Sequence, residues 1–371
     1  MLEQKALFGE MFSRAGIAID GPNPWDIHIT DERFYARLLR GHSLGLGEAY
    51  MEGLWRCRQL GEFFYRILKA DLDREIKSGV KFLLPYVTAL LSNPQSKRRA
   101  HQVAERHYDL GNDLFMSFLD PYNQYSCAYF QDTEDLAQAQ LNKLDLICRK
   151  LDLKSQDHLL DIGCGWGGLA KFAAERYGCS VTGVTISREQ ARYAREFCKG
   201  LPITVQECEY RDISGQFDKV ASVGMFEHVG QKNYRTFAQV VARCLKEDGI
   251  FLLHTIGGND SQVNLEPWLS KYIFPNGMLP SIAQIGKAAE GIYVVEDLHN
   301  LGPHYEKTLV AWHDNFQNNW GSLEGKYDER FKRMWEYYLL SCAGAFRARK
   351  IQLWQLVFTK CGTHQPDCRK Q

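Results

Sequence analysis

The stretch from His158 to Ser187 limits what this chain can fold into more than any other. His158 to Ile162 is a short apolar run that reads as a buried strand, and Gly163, Gly165, Gly167 and Gly168 follow at once. A helical run opens after them, and Ser180 to Val184 reads as the next strand. Together they predict a βαβ unit with a glycine turn at the first strand's carboxyl end. Glycine has no Cβ, so it permits a tight turn and lets a ligand lie against the main chain. The helix start adds N–H groups that lack intrahelical partners. Four glycines within six residues carry too large an entropic cost to serve only as a connection.

The glycines satisfy both G-x-G-x-x-G and G-x-G-x-G, so they leave the ligand open. A nicotinamide dinucleotide calls for an acidic residue at the end of the second strand, for the ribose hydroxyls. That strand here ends Val184-Thr185-Ile186-Ser187. Asp161, two residues before the first glycine, completes D-x-G-x-G-x-G, which resembles the first motif of class I methyltransferases, enzymes that bind S-adenosylmethionine.

With 371 residues, 45% of them hydrophobic, the chain is long enough for two domains or one large one. The formal net charge is zero, so no global field draws it to nucleic acid, and any membrane contact must be local. No apolar run approaches the ~20 residues that span a bilayer. The opening M-L-E-Q-K-A-L-F-G-E lacks a signal peptide's n- and h-regions, which predicts a cytoplasmic protein. Eleven scattered cysteines with no C-x-x-C pair read as reduced thiols, neither a disulfide framework nor a zinc site.

Residues 1–91 read as a smaller N-terminal domain, 92–103 as a polar and then basic linker, and 104–371 as the catalytic domain. Within the first, Phe34 to Leu39 is helical in pattern and Leu60 to Leu72 is amphipathic. Between them, residues 41–55 interleave glycines with bulky apolar residues, which suggests close packing or a lipid-facing turn rather than a phosphate loop. Val80 to Leu91, broken by Pro85, reads as a core helix before a membrane-surface one. The run Lys97 to Arg99 is a solvated face or a phospholipid headgroup contact, worth ~1 kcal/mol per charge at an anionic surface. Beyond residue 104, helices over 104–119, 133–151, 234–245, 267–274, 282–290, 306–316 and 328–347 alternate with strands. The strands are His158–Ile162, Ser180–Val184, Ile203–Gln206, Phe217–Val223, Ile250–Thr255, Ile292–Asp297 and Ile351–Phe358. The alternation predicts an α/β fold with a doubly wound, mostly parallel sheet.

Further stretches carry a narrower resemblance. They are H-Y-D-L-G-N-D-L-F (107–115), Y-S-C-A-Y (125–129), L-L-D-I-G-C-G-W-G-G (159–168), G-V-T-I-S (183–187), G-M-F-E-H-V-G (224–230), L-H-T-I-G (253–257), K-Y-I-F-P-N-G (271–277) and F-R-A-R…Q-L-W-Q (346–355). Together they resemble the bacterial cyclopropane-fatty-acyl-phospholipid synthases, class I methyltransferases with a Rossmann-like sheet, over nearly the whole chain. The resemblance implies methylene transfer from S-adenosylmethionine to the cis double bond of acyl chains in membrane phospholipids. It implies a cofactor pocket lined by Tyr125, Ser126, Gly163, Gly165, Thr185, Ile186, Gln190, Tyr210 and Arg211, with Gln190 taking the ribose role of the missing acid. It also implies a bicarbonate held by Cys127, Glu227, His254, the Ile256 backbone and Tyr305.

Such chemistry has two needs. The alkene attacks the sulfonium methyl unaided, but the resulting carbocation must be kept from water and must lose a proton from the new methyl. A small anion serves as the base, with Tyr305 O–H, a His254 N–H and backbone N–H groups donating to it, while Glu227 accepts from it or orients His254. His254 interrupts an apolar strand where that strand should end; from composition alone, a satisfied core histidine is the blander reading. Glu227 follows the fourth strand, and its blander role is a helix N-terminal carboxylate. His228 should point elsewhere. Cys127 alone reads as an inert buried thiol, and the Cys/His/Glu set matches no zinc spacing. Cys342, among small helical residues, is a packing residue or a participant in the site. Expected partners are a bilayer surface bearing unsaturated chains, met peripherally at the inner face of the membrane through the N-terminal domain and Lys271 to Pro280, and a second copy in a homodimer. The alternatives are a lipid methyltransferase that leaves a branched methyl, a non-catalytic lipid-binding protein, and a dehydrogenase.

Overall fold

A computed structural model describes residues 2–72, 111–262 and 264–370. The helix expected over 80–91, the linker 92–103 and the first part of the helix expected over 104–119 lie outside the described residues. The chain forms two compact units. One draws its described residues from Met1–Leu91, Leu265–Pro275 and Tyr305–Ile351, the other from Ser92–Asn264, Asn276–His304 and Gln352–Gln371.

The first unit is helical apart from a two-stranded ladder, β1 (His28–Ile29) against β2 (Trp55–Arg56). Its helix Leu60–Lys69 packs on the helix Glu329–Arg347, where Gly344 makes the approach possible: a Cβ there would lie 2.7 Å from that of Phe64. Tyr337 fills the seam, with ring centroids 5.0 Å from Phe64 and 4.4 Å from Trp268. The glycine-rich stretch proves to be helical, Arg33–Met51, bent at His42, whose φ of 49° leaves the helical region. Its glycines serve close packing: a Cβ on Gly47 would meet the Trp268 ring at 2.3 Å. Within Lys271 to Pro280, Ile273, Gly277, Met278 and Pro280 are buried, Tyr272, Phe274 and Leu279 are partly exposed, and Lys271 pairs with Glu48 at 2.6 Å.

The second unit is built on a seven-stranded sheet. Its strands are β3 (His158–Ile162), β4 (Ser180–Thr185), β5 (Ile203–Glu207), β6 (Phe217–Val223), β7 (Leu245–Gly258), β8 (Tyr293–Asn300) and β9 (Ile351–Lys360). They lie in the order β5-β4-β3-β6-β7-β9-β8. The first five pair in parallel, and β8 pairs antiparallel with β9. This is the class I methyltransferase arrangement and the mostly parallel sheet that the alternation of elements predicts. Successive side chains of a strand face opposite ways, so Leu160 joins Phe237, Phe251 and Phe358 on one face, while Leu159 joins Ile147, Leu169 and Leu252 on the other. Helices start where short polar side chains accept their free N–H groups, as Asp135 does from Gln138 and Ser187 from Gln190.

Several boundaries differ from expectation: the helix expected over 306–316 runs Gly302–Leu323, and the helix expected over 234–245 ends at Cys244, with the strand expected over Ile250–Thr255 running from Leu245 to Gly258 as β7. Leu245 pairs with Phe217 and Ile250 with Lys219, and the residues between them bulge. Gly249 folds back onto Leu245, where a Cβ would lie 2.5 Å from its side chain. Trp354 on β9 lies flat enough against β7 that a Cβ on Gly257 would come within 1.8 Å of its ring. Gly257→Ala is therefore expected to cost about 1–3 kcal/mol, seen as a lowered midpoint in urea denaturation.

Candidate active site at the carboxyl ends of the strands

The glycine turn leaves β3 with Gly163, Gly165 and Gly167 at φ of +87°, +53° and +87°, a region that L side chains rarely adopt. The N–H groups of Gly163 and Cys164 donate to the Val184 carbonyl at 2.8 and 2.9 Å, which pins the turn to the end of β4. A Cβ on Gly163 would strike Met225 at 2.7 Å, just past the end of β6. The Gln190 amide nitrogen lies 4.0 Å from the Cβ position of Gly165. Gln190 is buried, and its side-chain oxygen accepts from the Thr185 hydroxyl at 3.0 Å. Ile186 joins Thr185 to the helix cap Ser187. Past β5, a short helical turn carries Tyr210 and Arg211; Glu209 holds the Arg211 guanidinium at 2.8 Å, and that guanidinium lies over the Tyr210 ring at 4.6 Å.

The segment 120–127 crosses this turn. A Cβ on Gly168 would meet the Tyr122 carbonyl oxygen at 1.8 Å, so only glycine lets the segment lie on the helix start. Tyr125 packs edge-on to Phe115 at 5.1 Å, and Ser126 lies 3.9 Å from the Cβ position of Gly224 at the end of β6. The glycine turn thus has Gln190 and the segment carrying Tyr125 and Ser126 against it, at the strand ends where α/β folds place their ligands.

A second group sits at the ends of β6 and β7. Glu227 lies in the short turn Phe226–His228 and reaches across to β7, where its Oε1 accepts the Ile256 N–H at 2.6 Å. Glu227 therefore takes the backbone N–H expected for an anion. Its Oε2 is buried without a partner among the described residues, and burial pushes the carboxyl up from 4.5 to about 7. His254 does not end its strand, which runs on to Gly258; it sits opposite Val223, the last residue of β6. The Gln355 amide nitrogen lies 3.3 Å from Nδ1. With the amide placed so, its N–H donates, Nδ1 accepts and the ring proton is assigned to Nε2, which has no partner among the described residues. Burial, reinforced by the charges of Lys143 and Lys150, holds the ring well below its usual pKa and hence neutral. Cys127 is fully buried, its thiol near the Ala128 and Leu301 carbonyls at 3.2 and 3.9 Å. His228 beside Glu227 is lowered to about 4 by burial.

Tyr305 and Cys342 belong to the other unit. The Tyr305 ring stacks on Phe346 at 4.5 Å. Burial pushes the Cys342 thiol up to about 12, so it is no thiolate at neutral pH. All eleven cysteines are free.

Three polar groups around the site escaped the reading of the sequence. Gln355 is fully buried in a strand with both faces covered, and an amide in so apolar a run was its signal. Gln140 and Lys143 are also fully buried. Both fall in phase with Leu136, Leu144 and Ile147 on the buried stripe of the helix Leu136–Lys150, a pattern visible from spacing alone.

Glu227 and pH give a direct check. Because its pKa is raised on folding, the charge costs nothing below about pH 4.5, costs more as pH rises towards 7, and levels off above that. Glu227→Gln keeps the acceptor for Ile256 and removes the charge. It is expected to be more stable than the native chain at pH 8, by up to about 3 kcal/mol, with the gap closing by pH 4.5 in denaturant titrations.

The profile of the mycolic acid cyclopropane synthetase family matches residues 95–356. The cyclopropane-fatty-acyl-phospholipid synthase of Escherichia coli is 54% identical over 95% of this chain and 92% of its own. A probable fatty acid methyltransferase of Pseudomonas putida is 34% identical over 92% of this chain and 88% of its own. Among solved structures, the mycolic acid cyclopropane synthase CmaA1, complexed with SAH and CTAB, superposes with a TM-score of 0.66 at 34% identity, covering 70% of this chain and 98% of that one.

Proposed function

The chain belongs to the mycolic acid cyclopropane synthetase family of S-adenosylmethionine-dependent methyltransferases, and from that premise we propose that it cyclopropanates unsaturated acyl chains of membrane phospholipids. A methylene group passes from S-adenosylmethionine to a cis double bond. The relatedness to the E. coli enzyme supports the substrate class. The observation that carries the chemistry is the pair Glu227 and His254, one just past the end of β6 and the other opposite its last residue, each buried with one polar atom unpartnered among the described residues.

S-adenosylmethionine supplies an electrophilic methyl, and the glycine turn with Tyr125, Ser126, Thr185, Ile186, Gln190, Tyr210 and Arg211 holds it at the strand ends. The alkene needs no activation. After transfer the acyl chain carries a positive charge, and closing the ring requires a proton to leave the new methyl. Complete burial of Cys127 and His254 keeps water from trapping that charge. His254, held neutral, is a poor base but a good donor through Nε2–H. Glu227, with its pKa near 7, also donates from Oε2 when protonated. Two buried donors without acceptors among the described residues fit a small anion. Bicarbonate held there, with Cys127 added to the set by resemblance, supplies a proton acceptor that does not add irreversibly to the chain.

The unit that contains the N-terminal residues is the proposed lipid-docking part. No helix among the described residues is long and apolar enough to cross a membrane; the proposed contact is peripheral, at the inner face of the membrane and from the cytoplasm. A cleft of about 390 Å³ lined by Leu7, Phe8, Met11, Leu38 and Leu39 supports this, with Leu7 58% and Leu39 45% exposed. Dimerisation would double such a contact and raise its avidity. Leu7→Glu with Leu39→Glu is expected to leave the melting temperature unchanged and to cut sedimentation with anionic vesicles by roughly tenfold, since two apolar contacts are lost. Unchanged sedimentation would place docking elsewhere.

A second reading, transfer that leaves a methyl branch, is favoured by the likeness to the Pseudomonas putida protein. One experiment separates the two. The purified chain is incubated with unsaturated phospholipid vesicles and S-adenosylmethionine, with and without bicarbonate, and the acyl chains are analysed by proton NMR. High-field ring protons are expected, lost in His254→Ala and weakened without bicarbonate. A methyl doublet supports the branched product, and unmodified lipid from protein that binds S-adenosylhomocysteine contradicts both readings.

A further inference from the structure

The helix Leu136–Lys150 turns two polar residues, Gln140 and Lys143, into the interior, and both end on the same segment. The Gln140 amide nitrogen donates to the Ser126 carbonyl at 3.0 Å and to the Gln124 carbonyl at 3.4 Å. The Lys143 ammonium donates to the Ser126 hydroxyl at 2.9 Å and to the Gln124 side-chain oxygen. Backbone and side chains of 124–126 are thus held from one helix face, three residues apart. The segment is also braced from its own start. Asp120 accepts the N–H groups of Tyr122 and Gln124, each at 2.8 Å, and the Gln124 amide donates to the Tyr122 carbonyl at 3.0 Å. That carbonyl is the group lying where a Cβ of Gly168 would be.

A wholly buried lysine is costly, and a protein keeps one when it is paired and hydrogen-bonded or has work to do. Lys143 is fully buried, and burial lowers it to about 8, opposed by the nearby charges of Asp120 and Asp161. An apolar side chain on this stripe would pack the helix as well. What only Gln140 and Lys143 provide is a fixed height and angle for Gln124–Ser126 above the glycine turn.

We infer that Gln140 and Lys143 are positioning residues for cofactor binding: they clamp Gln124–Ser126 against the glycine turn and so set the wall that Tyr125 and Ser126 present to S-adenosylmethionine. This rests on the reading of that turn as the cofactor site. The clamp is preorganised by the helix, so its removal weakens binding of the cofactor; Lys143 also lends its charge to keeping His254 neutral, so the effect on turnover is read from Gln140.

The test uses full-length Gln140→Met and Lys143→Met, with Gly165→Val as the probe of the site itself. S-adenosylhomocysteine is titrated calorimetrically, and steady-state kinetics are run with each substrate varied. Each clamp variant is expected to raise the KM for S-adenosylmethionine and the Kd for S-adenosylhomocysteine by roughly fivefold or more, and Gln140→Met to keep kcat and the KM for lipid within about twofold of native. A merely structural role would lower kcat and melting temperature together and leave the KM for S-adenosylmethionine unmoved; that result overturns the inference. If Lys143→Met fails to fold, Gln140→Met, which leaves the buried ammonium in place, carries the same expectation. If Gly165→Val loses S-adenosylhomocysteine binding while both clamp variants bind as the native chain does, the clamp alone falls. If Gly165→Val binds normally, the cofactor site lies elsewhere and both readings fall.

Discussion

Taking Glu227, Asp161 and His254 out of water favours the neutral form of each, and much of the site's behaviour follows from that desolvation. The two carboxyls are pushed up to about 7 and the imidazole well down. Near neutral pH the imidazole is therefore uncharged and the two carboxyls exchange readily between their neutral and ionised forms. Such a setting suits a reaction in which a neutral alkene becomes a cation and then loses a proton. Strongly ionised side chains would capture the cation, and a purely apolar wall would give a small anion nothing to bind. Neutral donors with unfilled hydrogen-bonding capacity meet both demands.

The sheet makes this arrangement affordable. Each polar group is placed by a strand end or by the turn just past it. The backbone partners that fix them, the Val184 carbonyl for the glycine turn and the Ile256 N–H for Glu227, come from neighbouring strands. Rigid elements thus hold the polar atoms, and the apolar clusters on both faces of the sheet keep water away.

What could be read from the sequence was what is local. The β3–glycine–helix unit is encoded in consecutive residues, and its strand boundaries agree with the structure to within a residue. The failures were non-local. Leu245 pairs with Phe217, and nothing within the helix Tyr234–Cys244 announces that partner. His254 looked terminal because its run turns polar there, yet pairing carries β7 onward. The role of Gln355 depends on β9 lying beside β7, a neighbour set by the topology of the whole sheet. Residues 265–275 and 305–351 fold with the N-terminal part through contacts such as Gly47 on Trp268 and Gly344 on Phe64, which no periodicity reveals. The candidate residues Glu227 and His254 were found through resemblance; spacing alone did not separate them from core residues.

The central claim is that a proton leaves the transferred carbon within this site. The most direct measurement uses S-adenosylmethionine carrying a trideuterated methyl group, with mass analysis of the acyl chains formed by the native protein. The account predicts a ring carbon that retains two of the three deuteriums. Product that retains all three would mean that the methyl is transferred and never deprotonated, and would contradict it.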